Sequence, residues 1–135
     1  MKESGLGMSV FQVADASSSL QDLRNDFTNY TVSTPRAEQD VTGLNESAHE
    51  RILLLADAAV EVDMVFNPAS NKSHAVFSTV PSTSVARAVN TTVNGASLNF
   101  TGILFTDYNV TRSATGELLA KAPGVLADGA VPTWS

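Results

Sequence analysis

The sequence predicts a mainly β domain, a sandwich or partly closed barrel of about seven or eight strands with one packed α-helix. Three observations carry that expectation. Apolar and polar residues alternate through much of the chain, the period-two mark of strands with one buried face. Turn signals, chief among them Asn94-Gly95, separate those stretches at short intervals. One segment only, from about Asn45 to Ala56, has helical spacing. At 135 residues the chain fits a single domain spanning 1–135, large enough to bury roughly two-thirds of its unfolded surface without staples.

Met8, Val10, Phe11 and Val13 make a first short strand, preceded by a flexible arm over 1–7. A second runs from about Asn25 to Ser33, with Tyr30 and Val32 on one face and Asn29 and Thr31 on the other. Pro35 breaks it, and Thr34 to Asp40 reads as a polar loop. The helix follows. Ser47-Ala48-His49-Glu50 has the form of a capping box, with Asn45 a competing N-cap. Ala48, Ile52, Leu55 and Ala56 then share a stripe widened by Leu53, and Leu54 lies off it, free to touch a partner.

The cleanest strand comes next. Ala58, Val60, Val62, Met64 and Phe66 point one way, and Ala59, Glu61, Asp63 and Val65 the other. Asn67-Pro68 ends it, a short helical turn is expected around His74 to Val80, and Pro81 closes that piece. Ser84 to Val93 reads as a strand that turns at Asn94-Gly95 into a return strand with Leu98 and Phe100. Gly102 is a plausible bulge, and Leu104, Thr106, Tyr108 and Val110 continue the strand. Ser113 to Gly116 turns into a last strand over Glu117 to Ala122, and 123–135 reads as a C-terminal extension punctuated by Pro123-Gly124 and Asp128-Gly129.

Composition narrows the function classes. The formal charge of -6 sets the surface against a phosphate backbone, and the eight Lys and Arg are scattered singly, so ordinary nucleic-acid binding is not expected. The absence of cysteine removes disulfides, thiolate metal sites and a Cys nucleophile. The N-terminus lacks the apolar stretch of a signal peptide, and the apolar run Ile52 to Ala56 is too short to span a bilayer, so no membrane partner is expected. Only 16% of residues are charged, against about 25% in an ordinary soluble domain. A surface so poor in charge suits burial against other protein.

Catalytic chemistry finds no constellation. His49 beside Glu50 suggests general acid–base work, but the two histidines, His49 and His74, belong to no motif, and a zinc site needs more ligands than they supply. No Gly-x-Ser-x-Gly elbow, P-loop or Gly-x-Gly-x-x-Gly fingerprint occurs. Glu61 and Asp63 pair on one strand face, which glycosidases and calcium sites exploit, yet the same pattern is the solvent side of an alternating strand. The Asn-x-Ser/Thr triplets at Asn29, Asn45, Asn71, Asn90, Asn99 and Asn109 fit polar strand faces at period two. No enzyme, metal or cofactor is expected.

The stretch Ser33-Thr34-Pro35-Arg36, Gln39 to Ala48 and Glu50 to Asp57 resembles the tail-tube (major tail) proteins of siphophages, especially those infecting actinobacteria. So do His74-Ala75-Val76-Phe77, Ser82 to Arg87, Leu104 to Tyr108 and Ala122 to Gly129, so the resemblance spans nearly the whole chain. It implies a self-assembling structural subunit whose six-fold rings stack into a hollow tube, with inner sheets joined into a barrel around a lumen that passes DNA without specific binding. It also implies a virion tail protein, assembled in the host cytoplasm, with itself and other tail proteins (tape measure, tail terminator, distal tail) as partners. By position, Thr34 to Leu44 corresponds to that family's extended inter-ring loop. Pro35, Arg36, Gln39, Asp40 and Leu44 are then contact candidates, together with Leu54 and Trp134. Glu61 and Asp63 become lumen candidates, since carboxylates there repel passing phosphates. The competing expectations are another virion structural protein, in head decoration or head–tail joining, and a carbohydrate-binding β-sandwich. The latter is short of aromatic platforms, with Trp134 and two tyrosines beyond phenylalanine.

Overall fold

In the computed structural model, which describes residues 4–135, ten strands and one five-residue helix follow in order: β1 (Met8–Ala14), β2 (Leu20–Asp22), β3 (Phe27–Ser33), β4 (Arg36–Asp40), β5 (Arg51–Ala56), β6 (Ala59–Val65), α1 (Ser73–Phe77), β7 (Arg87–Val93), β8 (Ala96–Phe105), β9 (Asn109–Arg112) and β10 (Leu118–Leu126). Eight strands form one antiparallel sheet in the order β2-β1-β7-β8-β10-β6-β3, with β9 also on β10. β4 and β5 form a separate two-stranded sheet.

The large sheet must curl. β2 and β3 stand at opposite ends of the strand order yet are joined only by residues 23–26. A flat row would put them about 29 Å apart, and five chain steps reach at most about 18 Å. Side chains meet across the resulting seam: Phe11 of β1 stacks on Phe27 of β3 at 4.5 Å and meets Tyr30 edge-on at 4.8 Å. The sheet is thus a partly closed barrel, and its inner face is the core: Phe11, Val13, Val62, Met64, Leu98, Phe100 and Ile103, with Val76 and Phe77 of α1 plugging one side.

Alternation locates the core correctly. Along β6, Val60, Val62 and Met64 are buried while Ala59, Glu61 and Asp63 are half-exposed. Asn94 and Gly95 both have positive φ, 51° and 86°, as a type I′ hairpin requires, and they join β7 to β8. Gly102 does sit at a register shift, two residues of β8 facing one of β7. The short helical turn falls at α1, as the sequence suggested.

Several expectations change. The helix over Asn45 to Ala56 is absent: Ser47 and Ala48 lie in a bend, and residues 51–56 are strand β5. The Glu50 amide donates to Thr42 Oγ1 at 2.8 Å, so the capping-box residue closes a hairpin. Its partner, the expected loop Thr34 to Asp40, is largely strand β4. Finally, β8 stops at Phe105, and β9 pairs with β10 instead of continuing it.

The last strand also runs beyond Ala122, through Pro123 and Gly124 to Leu126, so the extension begins only after it. Pro123 is accommodated because its carbonyl accepts from Thr106 N on the β8/β9 side, and its missing N–H faces that same side. There the ladder is already interrupted, since β10 pairs with β9 up to Lys121 and with β8 from Gly124. Gly124 is required by space: a Cβ would stand 2.6 Å from Ile103 Cγ2. Of the arm 1–7, residues 1–3 lie outside the described residues; Ser4 and Gly7 accept from Asn94 through their carbonyls. Ser135 and Ser97 exchange two backbone hydrogen bonds, so the C-terminal strap, like Ser4 and Gly7, lies against the β7–β8 hairpin.

Two polar groups are buried with unequal success. Arg87, 1% exposed, donates to the Val76 carbonyl of α1 and to Thr79 Oγ1. Burial pulls its guanidinium below the usual range, with Asp15 opposing, though a guanidinium stays charged. The Tyr30 hydroxyl, by contrast, makes no hydrogen bond of ordinary length, and neither does Thr91 Oγ1. Burial pushes the Tyr30 phenol from 10.0 up to about 12, a nearby Thr91 opposing slightly. A raised folded pKa means that stability is whole below the unfolded value and is lost as pH climbs to the folded one. Between pH 10 and about 12 the fold should lose up to about 3 kcal/mol through this residue. Lys121 and Tyr108 are also shifted upward and share the alkaline window. Tyr30→Phe should therefore flatten, but not abolish, the alkaline decline in denaturation midpoint. An unchanged slope would remove Tyr30 as its source.

Candidate functional site

The β4–β5 arm is the part of the molecule with no internal reason for its composition. Every residue from 36 to 56 is exposed. Within it Ile52-Leu53-Leu54-Leu55 offers four large apolar side chains, Leu53 at 61% and Leu55 at 86% exposure, and Leu44 stands fully exposed near the tip. A lone two-stranded hairpin is at best marginal in water, and each buried leucine is worth about 1.5–3 kcal/mol. Among the described residues nothing covers these apolar side chains.

Local chemistry sets its shape. At the root, Asp57 N donates to the Pro35 carbonyl at 2.9 Å, which pins the two strands where they leave the barrel. Between Arg36↔Ala56 and Glu38↔Leu53 the register slips, so Leu54 and Leu55 both oppose Ala37. Arg36 spans that bulge, its guanidinium donating to the Leu54 carbonyl at 3.0 and 3.3 Å. Near the tip, Asp40 accepts from Thr42 N at 3.0 Å and lies 2.9 Å from His49 Nδ1. Thr42 above all, with His49 contributing, holds the Asp40 carboxyl below the usual carboxylate range. His49 thus braces a hairpin. His74 lies apart from it, in α1, 3.0 Å from the Tyr108 hydroxyl and against Phe66.

Of the residues singled out by sequence, Pro35, Arg36, Gln39, Asp40, Leu44 and Leu54 all fall on this arm, Gln39 opposite Ile52. Trp134 does not; it is exposed on the C-terminal strap beside Ser97. Ile52, Leu53 and Leu55 were assigned inward to a helix face and are instead exposed; their contiguity, which no amphipathic period requires, was the available signal.

Glu61 and Asp63 stand on the outer face of β6. Lys121 of β10 lies between them, Nζ 2.6 Å from Glu61 Oε1 and 3.7 Å from Asp63 Oδ1, and both carboxylates raise its pKa, Glu61 most. The cluster therefore carries one net negative charge. A shallow groove of about 370 Å³ lies beside it, lined by Thr28, Asp63, Thr111, Leu119 and Lys121 among others. Among the described residues no group of three or more His, Asp or Glu is placed to hold a metal.

No protein-family model matches the sequence, and no curated protein matches it. Solved structures do. The chain is similar to one in the tail of an empty gene transfer agent particle of C6 symmetry, at TM-score 0.71 and 16% identity, covering 99% of both chains. It is similar also to a chain in the virion of a native gene transfer agent particle, at TM-score 0.72 and 14% identity, again over 99% of both. At such identities the likeness is one of fold, and it is end to end: this chain has the mainly β fold of a chain found in the tail of a gene transfer agent particle.

Proposed function

We propose that the chain is a structural subunit of a phage-like tail, assembling with its own copies into stacked six-fold rings that form the tube through which DNA leaves the particle. The observation that carries this reading is the full-length likeness to a chain of a C6-symmetric tail. Two physical features support it. The β4–β5 arm displays leucines that nothing covers among the described residues, and β2, β3 and β9 leave edges unpaired among those residues that self-assembly would satisfy. A closed ring uses two different patches on each subunit and stacking uses a further pair, which suits a surface with so few charges. Tape-measure, terminator and distal-tail proteins are the partners such a tube needs at its axis and ends.

Electron micrographs of the concentrated protein test the reading. Stacked rings support it; discrete particles that bind empty capsids would move the chain to head decoration. In the tube, Glu61 and Asp63 face the lumen, their charge moderated by Lys121. Changing both to Lys should leave tubes intact and slow DNA ejection at low salt, where charges act over about 30 Å. Unchanged ejection at low salt removes the lumen assignment.

A further inference from the structure

Asn94-Gly95 is a reactive pair as well as a turn. Of the asparagines in the chain, Asn94 alone precedes glycine; the others precede proline or a residue with a larger side chain. A backbone amide nitrogen can attack the side-chain carbonyl carbon of an asparagine just before it, and a side chain on the attacking residue obstructs that approach. Glycine has none. Even a Cβ on Gly95 would meet nothing within 4 Å, so the turn stands in open space. Asn94, Gly95 and Ala96 are all exposed to water. Val93 pairs with Ala96 as the last rung of the β7–β8 ladder, which leaves the Gly95 N–H outside it.

Asn94 also holds the segment that precedes β1. Its Nδ2 donates to the Ser4 carbonyl at 3.0 Å, and its backbone N–H donates to the Gly7 carbonyl at 3.1 Å. The side-chain amide packs so closely on Gly7 that a Cβ there would collide with its Oδ1. The other hydrogen bonds of residues 4–7 are internal, from Leu6 N to Ser4 Oγ and from Gly7 N to the Ser4 carbonyl. Ser4, Gly5 and Leu6 are exposed. One side chain is therefore the clasp.

We propose that Asn94 is a modification site, and that its deamidation releases residues 4–7 from the hairpin. The Gly95 nitrogen bonds to Asn94 Cγ and gives up its proton. The Cγ–Nδ2 bond breaks, and Nδ2 leaves with that proton as ammonia, so a five-membered succinimide remains. Water then opens the ring: attack at Cγ gives aspartate, and attack at the backbone carbonyl carbon gives isoaspartate. Neither product keeps Nδ2, and a carboxylate cannot donate to the Ser4 carbonyl. Isoaspartate also adds a methylene to the backbone, which a two-residue turn closing Val93 on Ala96 cannot absorb. The docked clasp guards its own site, because holding Nδ2 on Ser4 opposes the side-chain rotation that ring closure needs.

Asp128-Gly129 offers an internal contrast. A carboxyl cyclises only from its protonated form, by losing water. Asp128 accepts from Thr101 Oγ1 and from Ala130 N, and Thr101 above all holds its carboxyl below the usual range. That pair should stay intact while Asn94 reacts.

Peptide mass mapping of the full chain, aged at neutral and at mildly alkaline pH, tests the site. A gain of one mass unit should be confined to the peptide holding Asn94, be faster at the higher pH, and divide into two isomers with isoaspartate in excess. No gain at Asn94 overturns the site, and aspartate alone overturns the ring route. Asn94→Asp reads the clasp directly, since Asp-Gly also suits a type I′ turn and keeps the hairpin. Its deuterium uptake over residues 4–8 should be about fivefold faster, the worth of one hydrogen bond. Uptake equal to that of the unaltered chain overturns the release. Gly7→Ala, which displaces the Asn94 amide, should speed deamidation; an unchanged rate overturns the guarding role.

Discussion

Replacing Leu53 and Leu55 together by Asp should stop multimer growth while leaving the subunit folded. Both side chains are exposed, at 61% and 86%, on a two-stranded arm that pairs with no other strand among the described residues. Their removal therefore costs the barrel little, within the roughly ±0.5 kcal/mol of ordinary surface changes. In an assembled contact the same two leucines would contribute about 3–6 kcal/mol by burial, before the added penalty of two buried carboxylates. That corresponds to a hundredfold or greater rise in the concentration needed for assembly, at about tenfold per 1.4 kcal/mol. Sedimentation velocity across a concentration series reads the assembly, and thermal denaturation by circular dichroism reads the fold. Unaltered assembly would show that the arm is not the contact.

Arg87→Ala should do the reverse and destabilise the subunit itself, by about 3–5 kcal/mol. The side chain is buried, fills space between β7 and α1, and satisfies the Val76 carbonyl and Thr79 Oγ1 at once. Truncation leaves a void and an unpaired carbonyl under a helix of only five residues, too short to hold itself in place. Against a typical domain stability of about 5–15 kcal/mol, that is a large share. Arg87→Lys should recover only part of it, because an ammonium cannot reproduce the planar two-point fork. Urea midpoints of the three proteins rank the effect; an Arg87→Ala midpoint equal to that of the unaltered chain would refute the staple.

The comparison of sequence with structure divides along burial. β3, β6 and the β7–β8 hairpin were legible because each has one face on the core, so their alternation is the trace of a single inside and a single outside. Asn94-Gly95 was legible because its backbone conformation excludes most other residues. Residues 51–56 were not. With neither face on the chain's own core, the run Ile52 to Leu55 has no period to read, and a capping-box pattern just before it favours the helix by local propensity. A long-range pairing with β4 overrode that preference. Pro123-Gly124 misled in the same way: a turn signal locally, it is tolerated in β10 because the strand changes neighbours there.

By itself the sequence determined a mainly β chain, the inward residues of its principal strands, and the lack of any catalytic motif, because hydrophobic period and residue chemistry are local properties. Only the tertiary structure decided that the sheet curls until Phe11 meets Phe27, that Lys121 sits between Glu61 and Asp63, and that the leucines of residues 52–55 project on an exposed arm. Those facts depend on which distant strands pair, and pairing is settled by the closure of the whole barrel.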